Sequence, residues 1–251
     1  MPVRTLVIIP TYNERENLPR LLEAILNVDP GLHALVVDDN SPDGTGEQAD
    51  AIASREARVR VLHRAGKYGL GTAYVAGFEY ALRNTYDRVI EMDADFSHRP
   101  EDLPAMLAAA ANADVVIGSR NIPGGRTVGW SWIRRLVSRG GSLYARLLLN
   151  LPIKDCTSGF KCLSRSAIAH LDLELLRSNG YAFQVEVSHA CHQAGLHFAE
   201  VPIIFPERVA GRSKMSPGII LEAALLVIRL RLGLTRTAVA VAPAPLAQKA
   251  S

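Results

Sequence analysis

The feature of this sequence that most limits its fold is a regular alternation between short apolar runs and segments with helical spacing. Five runs of four or five residues are typical of buried strands: Leu6–Ile9, Leu35–Asp38, Val59–His63, Arg88–Met92 and Val115–Gly118. Between them, apolar residues recur every three or four positions, as in Leu18, Leu21, Leu22 and Ile25. Alternating βα units of this kind predict an α/β fold with a mostly parallel central sheet and helices on both faces.

The pattern becomes less regular after residue 120. We expect Phe160–Leu163 to return as a strand and Val185–Gln193 to form a helix. His197–Phe205 has the pattern of a strand that contains a proline, which predicts a place at the edge of the sheet. Residues 130–150 mix Trp, Arg and Leu around Gly140–Gly141, which predicts a pair of short amphipathic helices with a break at the glycines.

The length of 251 residues fits one domain, and an apolar content of 48% with 21% charged residues is typical of a globular protein. The net charge of +3 gives no general case for nucleic acid binding. We expect a single domain over residues 1–232. The remainder, 233–251, is poor in large apolar residues and is predicted to be a disordered tail.

Cysteine use and hydropathy predict a cytoplasmic protein. The three cysteines are odd in number and lack CxxC spacing, as expected for thiols of a reducing compartment. The apolar part of the N-terminus is too short for a signal peptide. The most apolar later segment, Ile219–Leu232, is interrupted by Glu222, Arg229 and Arg231, and no window reaches the roughly 20 apolar residues of a membrane span.

Polar residues follow three of the predicted strands at the point where each strand ends. They are PTYNE at 10–14, DDNSPDG at 38–44 and DADFS at 93–97. Ligands of open α/β sheets bind beyond the carboxyl ends of the strands. This edge of the sheet is therefore the predicted active site.

Two of these acids, Asp93 and Asp95, are separated by one residue after a buried strand. In an extended segment this spacing places both carboxylates on the same side, where they repel each other unless a cation compensates. A hard divalent cation held by carboxylates, water and substrate phosphates needs this arrangement. The alternative is a solvated cluster before a helix that starts at Pro100–Glu101; the position beside a second acidic strand end favours the cation.

The other two strand ends leave two interpretations open. At DDNSPDG, Asp39 suits hydrogen bonds to ribose hydroxyls or a base, and the alternative is a turn in which Asp43 or Thr45 caps the next helix. Thr11 and Glu14 fit a capping box, which is compatible with ligand contact. The glycines at 66–71 match no phosphate-loop motif and predict a tight turn that enters a helix, with Lys67 facing the ligand.

Positive charge is concentrated in the second half of the chain. Residues 120–165 contain nine cations and one acid, Asp155, which predicts an anionic partner. Trp and Arg together at 130–150 favour an interface with anionic lipid, and the alternative is a core helix whose arginines reach solvent. Residues 208–214 hold three cations around Gly211, either as a mobile loop that closes over phosphates or as a solvated basic loop.

A series of motifs resembles one known family. In chain order they are VIIPTYNERENLP, VVDDNSPDGTG, GLGTAYVAGF, EMDADFSHRPEDLP, VIGSRNIPGG, DCTSGFKCLSR, YAFQVEV and ERVAGRSKMS. Together they resemble the dolichol-phosphate mannosyltransferases of glycosyltransferase family 2, whose bacterial counterparts are polyprenyl-monophosphomannose synthases. The resemblance covers roughly residues 4–232. It implies a Rossmann-like nucleotide-diphospho-sugar transferase fold of the single-domain GT-A type.

The resemblance also implies roles for particular residues. Those that would hold the GDP nucleoside are Pro10, Tyr12, Glu14, Val37 and Asp39. Those at the diphosphate would be Asp93, Ala94 and Asp95, with Asp93 and Asp95 binding Mg²⁺ or Mn²⁺ and Asp95 the main ligand. Ser97 stands where some relatives have a glutamine ligand, and its hydroxyl would be a weaker, neutral metal ligand. Those that would contact substrate phosphates are Arg120, Arg208 and Lys214, with Arg134 on the acceptor phosphate.

The implied activity is transfer of mannose from GDP-mannose to a polyprenyl phosphate by a single displacement with inversion. The acceptor phosphate is already anionic near neutral pH, so it needs little or no general base. It needs cations that hold it in line with the anomeric carbon. The residues expected to carry catalysis are therefore Asp95, Arg120 and Arg134.

The lipid acceptor implies a location and leaves rival functions. We expect a peripheral protein on the cytoplasmic face of the cell membrane, attached through residues 130–150 or through a membrane protein partner. The nearest rival is a glucosyltransferase that uses UDP-glucose with the same acceptor. A non-catalytic nucleotide-sugar-binding subunit and a nucleotidyltransferase are the rivals from other classes.

Overall fold

The computed structural model describes residues 3–207, 217–235 and 237–240. The strands are β1 (Thr5–Thr11), β2 (Leu32–Asp38), β3 (Val59–His63), β4 (Arg88–Glu91), β5 (Val115–Ser119), β6 (Arg126–Thr127), β7 (Lys161–Ser164), β8 (Phe198–Pro202) and β9 (Ile204–Phe205). The helices are α1 (Leu18–Leu26), α2 (Thr45–Ala53), α3 (Leu70–Arg83), α4 (Leu103–Ala110), α5 (Trp132–Leu149), α6 (Arg165–Ala169), α7 (Gly180–Gln193) and α8 (Pro217–Arg231). A short 3₁₀ turn, Pro100–Asp102, leads into α4.

Seven of these strands form one sheet, in the order β3-β2-β1-β4-β7-β5-β8. Strand β7 is antiparallel to β4 and β5, and the other neighbouring pairs are parallel. The mostly parallel sheet predicted from the sequence is confirmed. The strand order reverses at β1, which pairs with β2 on one side and β4 on the other, and ligands of open α/β sheets bind at such a point.

The core lies on both faces of this sheet because β1 sends alternate side chains to opposite sides. Leu6 and Ile8 pack with α3, α5 and α7, whereas Val7 and Ile9 pack with α1, α2 and α4. All four are fully buried, as expected for a strand with helices on both faces. The prediction of helices on both faces is therefore confirmed.

The five strands predicted first all form, and β1 and β2 are longer than predicted. The later predictions hold for a strand near 160–163 and a helix that includes Val185–Gln193. The predicted strand His197–Phe205 is divided: β8 is at the sheet edge and β9 pairs with β6 in a separate two-stranded sheet. The turn at 66–71 enters α3, as predicted.

The predicted pair of short helices over residues 130–150 is wrong, because α5 is one continuous helix. A Cβ added at Gly140 or Gly141 would meet nothing within 4 Å, so these glycines lie in open space and not at a turn. Ser131 caps the helix by accepting the N–H of Arg134. Packing of the buried face of α5 outweighs the cost of about 1 kcal/mol that each glycine imposes on a helix.

The predicted capping box of Thr11 and Glu14 is also wrong. Thr11 is the last residue of β1, and its hydroxyl donates to Asp38 at 2.8 Å. Helix α1 begins later, at Leu18, after an N-cap Asn17 that makes no side-chain capping bond. Asp43 does serve helix α2, since its carboxylate accepts the N–H of Thr45 at 3.0 Å.

Part of the tail predicted to be disordered lies against the domain. Val239 forms an antiparallel bridge with Leu171, and Ala238 is fully buried. Residue 236 and residues 241–251 lie outside the described part of the chain, and for them the disordered tail stays a prediction. Among the described residues, none of the helices combines the length and the hydropathy needed to cross a membrane.

Candidate active site

A cavity of about 360 Å³ opens at the carboxyl ends of the strands. Nine residues predicted to form the site line it: Pro10, Tyr12, Glu14, Asp39, Asp93, Ala94, Asp95, Arg120 and Arg134. The sheet order places their segments along one edge, with Asp39 after β2, Tyr12 after β1, Asp93 after β4 and Arg120 after β5. Short segments distant in sequence thus meet in one place because parallel strands end at the same edge.

Of the other four predicted site residues, the two that the structure describes do not line this cavity. Val37 is fully buried in the core, so its side chain lies beneath the site. Ser97 is 1% exposed and lies behind the acidic turn. Its hydroxyl is buried and has no hydrogen-bond partner within the described ranges, so it remains a candidate ligand. Arg208 and Lys214 fall outside the described residues.

The acidic turn after β4 is held by bonds on both of its carboxylates. The Tyr74 hydroxyl donates to Asp93 Oδ1 at 3.4 Å, and the Ser97 N–H donates to Asp95 Oδ1 at 3.0 Å. Phe96, between Asp95 and Ser97, has φ 60°, which folds the chain back so that the Ser97 N–H meets Asp95. Burial, with the nearby Asp93 carboxylate, holds the pKa of Tyr74 well above its usual value, so the phenol remains a donor.

His98 supports the same turn from below. Its Nδ1 accepts the N–H of Asp93 at 2.9 Å, which places the ring proton on Nε2 in the neutral tautomer. The ring stacks on Phe160 with centroids 4.9 Å apart and meets the edge of Phe205 at 5.5 Å. The backbone of Asp93 is thus fixed by an aromatic support, which the sequence pattern did not indicate.

The two carboxylates suit a cation that the substrate helps to bind. Asp93 and Asp95 both line the cavity, and no cluster of three or more His, Cys, Asp or Glu side chains suited to a metal occurs among the described residues. A magnesium-type ion is commonly held by one or two carboxylates, with water and phosphate oxygens as the other ligands. The residues present fit such an ion better than a cation enclosed by protein ligands alone.

The two consecutive acids after β2 have different surroundings. Asp38 is buried and accepts bonds from the hydroxyls of Thr11 and Ser41 at 2.8 and 2.6 Å. Asp39 lines the cavity and pairs with Arg64, whose Nη1 is 2.9 Å from its Oδ1. Burial raises the pKa of Asp39, and Arg64 opposes that rise. Asp38 therefore holds the strand end together, while Asp39 faces the ligand space.

A cation lies over an aromatic ring at the same end of the cavity. Lys67 Nζ is 3.7 Å from the centroid of the Tyr12 ring, and both residues line the cavity. This distance is well within the range of a cation–π contact. Lys67, predicted to face the ligand, therefore lies at the cavity, and its contact with a ligand stays a prediction.

Arg120 is held by a buried acid. Its Nε and Nη2 donate to the two oxygens of Asp155 at 2.7 and 2.6 Å, and its backbone N–H donates at 2.8 Å. The guanidinium also lies 5.2 Å from the Phe205 ring centroid. Although burial opposes it, Arg120 holds the pKa of Asp155 below its usual value. Asp155 was visible in the sequence only as the lone acid of a basic stretch.

Arg134 reaches the cavity from the first turn of α5. Its guanidinium carbon is 3.8 Å from the centroid of Trp130, and its Nη1 is 3.6 Å from Glu207 Oε1. Arg120 contacts the same Trp130 ring, at 5.7 Å. One indole ring thus contacts two arginines beside the cavity. Two guanidinium groups this close can bind an anionic group separate from the one expected at Asp93 and Asp95.

Sequence reasoning missed the residues that complete the cavity on the side of α7. They are His98, Thr157, Gly159, Asn179, Gly180, Tyr181, Gln184 and Phe205. Most of them are uncharged; six come from the segment before β7, the residue before α7 and α7 itself, while His98 follows β4 and Phe205 belongs to β9. The sequence signal for them was their presence in or beside the family motifs: His98 in EMDADFSHRPEDLP, those of the segment before β7 in DCTSGFKCLSR and those near α7 in or beside YAFQVEV.

Helices α5 and α8 expose a set of large apolar side chains, here called the apolar face. Its members are Trp132, Ile133, Leu136, Leu143, Leu147, Leu221, Leu225, Ile228 and Leu232. Exposed fractions reach 69% for Trp132 and 70% for Leu147. The two helices touch, and the Tyr144 hydroxyl donates to Ala224 O at 3.1 Å. An exposed apolar set of this size indicates an interaction surface.

Comparisons with known proteins agree with this architecture. Residues 6–172 match the family model described as Glycosyl transferase family 2. The undecaprenyl-phosphate mannosyltransferase of Micrococcus luteus is 48% identical over 227 residues, which span 90% of this chain and 93% of that protein. The polyprenol monophosphomannose synthase of Mycolicibacterium smegmatis is 48% identical over 226 residues, or 89% of this chain and 85% of that protein.

A solved structure shares the fold at lower identity. It is glucosyl-3-phosphoglycerate synthase from Mycobacterium tuberculosis in complex with Mn²⁺, UDP and glucosyl-3-phosphoglycerate. The TM-score is 0.64 at 21% identity, and the match covers 92% of this chain and 80% of that one. At this identity the likeness concerns the fold alone.

Proposed function

We propose that this chain, which belongs to glycosyl transferase family 2, transfers mannose from GDP-mannose to a polyprenyl phosphate with inversion. The chain is a glycosyltransferase, and its two bacterial relatives at 48% identity are named for mannosyl transfer or synthesis on polyprenyl phosphates. The observation that carries the proposal is that one cavity holds both the paired carboxylates and the paired arginines. A reaction between a diphosphate donor and a phosphate acceptor needs both pairs, since the carboxylates can hold a cation at the diphosphate and the arginines can hold the acceptor phosphate.

The nucleoside of GDP-mannose would lie at the end of the cavity formed by the tips of β1 and β2. Asp39 offers a carboxylate to hydroxyl or amide donors of the nucleoside. Tyr12 supplies a flat face, and Lys67 above it supplies positive charge near the diphosphate. Pro10 and Glu14 complete this wall, as the family resemblance implies.

The diphosphate would lie at the tip of β4, where Asp93 and Asp95 would hold Mg²⁺ or Mn²⁺. When bound, the ion would neutralise the charge that develops on the leaving diphosphate. The bonds from Tyr74 and Ser97 set the direction of the two carboxylates before substrate arrives. Ser97 Oγ, buried beside Asp95, is the proposed third and weaker ligand.

The acceptor phosphate would lie at the tip of β5, against Arg120 and Arg134. Both guanidiniums are fixed, Arg120 by Asp155 and Arg134 by the Trp130 ring. A phosphate monoester already carries negative charge at neutral pH, so its oxygen can attack the anomeric carbon without a general base. The arginines orient this oxygen on the face opposite the leaving diphosphate, which gives inversion.

The apolar face of α5 and α8 would rest on the bilayer that contains the acceptor. Arg134 lines the cavity from the helix that carries Trp132 and Leu136, so the face adjoins the proposed acceptor site. Trp and Leu on one side of a basic helix are typical of elements that lie in the membrane interface. We propose peripheral attachment on the cytoplasmic side, with or without a membrane protein partner.

A donor comparison tests this function. Full-length protein with polyprenyl phosphate and Mg²⁺ or Mn²⁺ is expected to form a lipid-linked sugar from GDP-mannose and little from UDP-glucose. Asp95→Ala is expected to abolish transfer, whereas Glu101→Ala, an exposed acid of the next turn, is expected to leave it unchanged. Turnover of UDP-glucose alone, or binding of GDP-mannose without turnover, would contradict the proposal.

A further inference from the structure

A lysine with no exposed surface lies behind the cavity. Lys161 on β7 donates from Nζ to the backbone oxygen of Gln184 at 3.1 Å and to the side-chain oxygen Oε1 of the same residue. An ammonium group can only donate hydrogen bonds. The amide oxygen of Gln184 must therefore face Lys161, and the amide nitrogen Nε2 must face away from it. The two ends of this amide are thus assigned by chemistry.

The nitrogen end of Gln184 lies on the wall of the cavity. Gln184 is 2% exposed and lines the cavity beside Gly159 and His98. A Cβ built on Gly159 would be 3.4 Å from Gln184 Nε2 and 3.5 Å from His98 Cε1. Nε2 is buried, and in the described part of the chain the acceptor close enough to take one of its two hydrogens is the Glu91 carboxyl, outside ideal hydrogen-bond geometry. Buried donors are nearly always satisfied, so the second hydrogen of Nε2 indicates a ligand.

Glu91 is the acid nearest to this pair and accounts for at most one of the two amide hydrogens. Burial raises the pKa of Glu91 to about 7, while the charge of Lys161 and a side-chain hydrogen bond from Gln184 lower it. An amide nitrogen carries two hydrogens, so one remains for the cavity even where the other is directed toward Glu91.

The topology places Gln184 Nε2 between the two proposed phosphate positions. Strand β7 lies between β4 and β5 and runs antiparallel to both, so its first residue pairs with Glu91 and with Ile117. Gly159, two residues before β7, therefore lies between the strand tips that carry Asp93 and Arg120. The group between the leaving diphosphate and the acceptor phosphate is the sugar that is transferred.

We propose that Gln184 donates a hydrogen bond from Nε2 to one hydroxyl oxygen of the transferred hexose and thereby selects the sugar. Lys161 is a positioning residue that fixes the direction of the amide. This inference rests on the proposed function and deepens it. A phosphate oxygen would be an acceptor of similar chemistry, and the experiment separates the two.

The test compares GDP-mannose with its 2-, 3-, 4- and 6-deoxy analogues in the full chain. For wild type, removal of the contacted hydroxyl is expected to lower kcat/KM about tenfold, the upper range for one neutral hydrogen bond. Gln184→Glu keeps an oxygen toward Lys161 and removes the donor. In this variant the loss for that one analogue is expected to disappear, while the effects of the other three remain.

Gly159→Ala provides a second variant that keeps Gln184 intact. The added methyl would meet Nε2 at an ordinary contact distance and would cover it from the sugar. In Gly159→Ala, the loss of kcat/KM for the analogue that lacks the contacted hydroxyl should therefore disappear, as in Gln184→Glu. The matched control is Gly140→Ala on the exposed side of α5, which should keep that loss. Thermal unfolding of each variant shows that the fold is kept.

Two results would overturn the assignment. One is an equal loss for all donors in Gln184→Glu, which a phosphate contact or a purely structural role would give. The other is a wild-type enzyme that uses all four deoxy analogues as well as GDP-mannose. Either result leaves the proposed function standing, since the wild type would still make mannolipid from GDP-mannose.

Discussion

The buried pair of Arg120 and Asp155 gives a prediction that separates stability from activity. Asp155 has no exposed surface and accepts two guanidinium bonds and one backbone bond from Arg120. Asp155→Ala leaves a buried cation without its partner, which costs about 3–5 kcal/mol of unfolding free energy. For a chain of this size, that loss lowers Tm by about 10 °C. The matched control is Glu79→Ala, which breaks the exposed pair with Arg83 and should change stability by less than about 0.5 kcal/mol.

The double variant Arg120→Met with Asp155→Leu distinguishes the two roles of the pair. Replacement of both charges by apolar side chains is often neutral, so most of the lost stability should return. Transfer activity should not return, because the proposed site of the acceptor phosphate has lost Arg120. Urea unfolding followed by circular dichroism measures the first quantity, and transfer to polyprenyl phosphate measures the second. Full activity in the double variant would refute the reasoning, as would equal effects of Asp155→Ala and Glu79→Ala.

The same pair predicts a pH dependence. Its bonds hold the pKa of Asp155 below the ordinary value despite burial, so the unfolded chain binds this proton at a higher pH than the folded chain. The stabilisation is fully present above the unfolded value of about 3.9 and is lost as pH falls through the lowered pKa. The difference in unfolding free energy between wild type and Asp155→Asn should therefore shrink below about pH 4. A constant difference between pH 6 and 3 would contradict this linkage.

Four further variants test other parts of the structure. Gly77→Ala should lower the unfolding free energy by about 1–3 kcal/mol, since its Cβ would lie 2.5 Å from Ile8. Gly140→Ala should raise it by up to about 1 kcal/mol, because the added methyl meets nothing and alanine favours the helix. Urea unfolding measures both changes. Asp39→Ala should raise KM for GDP-mannose more than it lowers kcat, in a donor titration. Leu136→Asp with Leu147→Asp should abolish sedimentation with anionic vesicles and spare transfer to a short, soluble acceptor; unchanged sedimentation would refute a membrane role for the apolar face.

Much of the fold followed from the sequence because periodicity and strand ends are local signals. The run Leu6–Ile9 predicts a strand, and the acids at 93 and 95 predict a cation site, each from fewer than about ten neighbouring residues. The glycines at 140 and 141 misled because local propensity suggested a break, whereas packing of the opposite side of α5 maintains the helix. Tertiary contacts decide such cases.

The parts of the site that could not be predicted depend on contacts between distant segments. Asp155 meets Arg120 across 35 residues, and Lys161 meets Gln184 across 23. A neutral glutamine or histidine carries no distinctive pattern, so Gln184 and His98 become site residues only when the sheet brings them to the cavity. Val37 illustrates the opposite case, since the resemblance places it in the site and the fold buries its side chain in the core.

The most direct test of the central claim is one transfer assay with product analysis. Full-length protein is incubated with radiolabelled GDP-mannose, polyprenyl phosphate and Mg²⁺ or Mn²⁺, with and without a chelator. The account predicts an organic-extractable mannosyl phosphate lipid of β configuration, formed only when the ion is present. A product of α configuration, or equal yield with the chelator, would contradict a metal-assisted single displacement in this cavity.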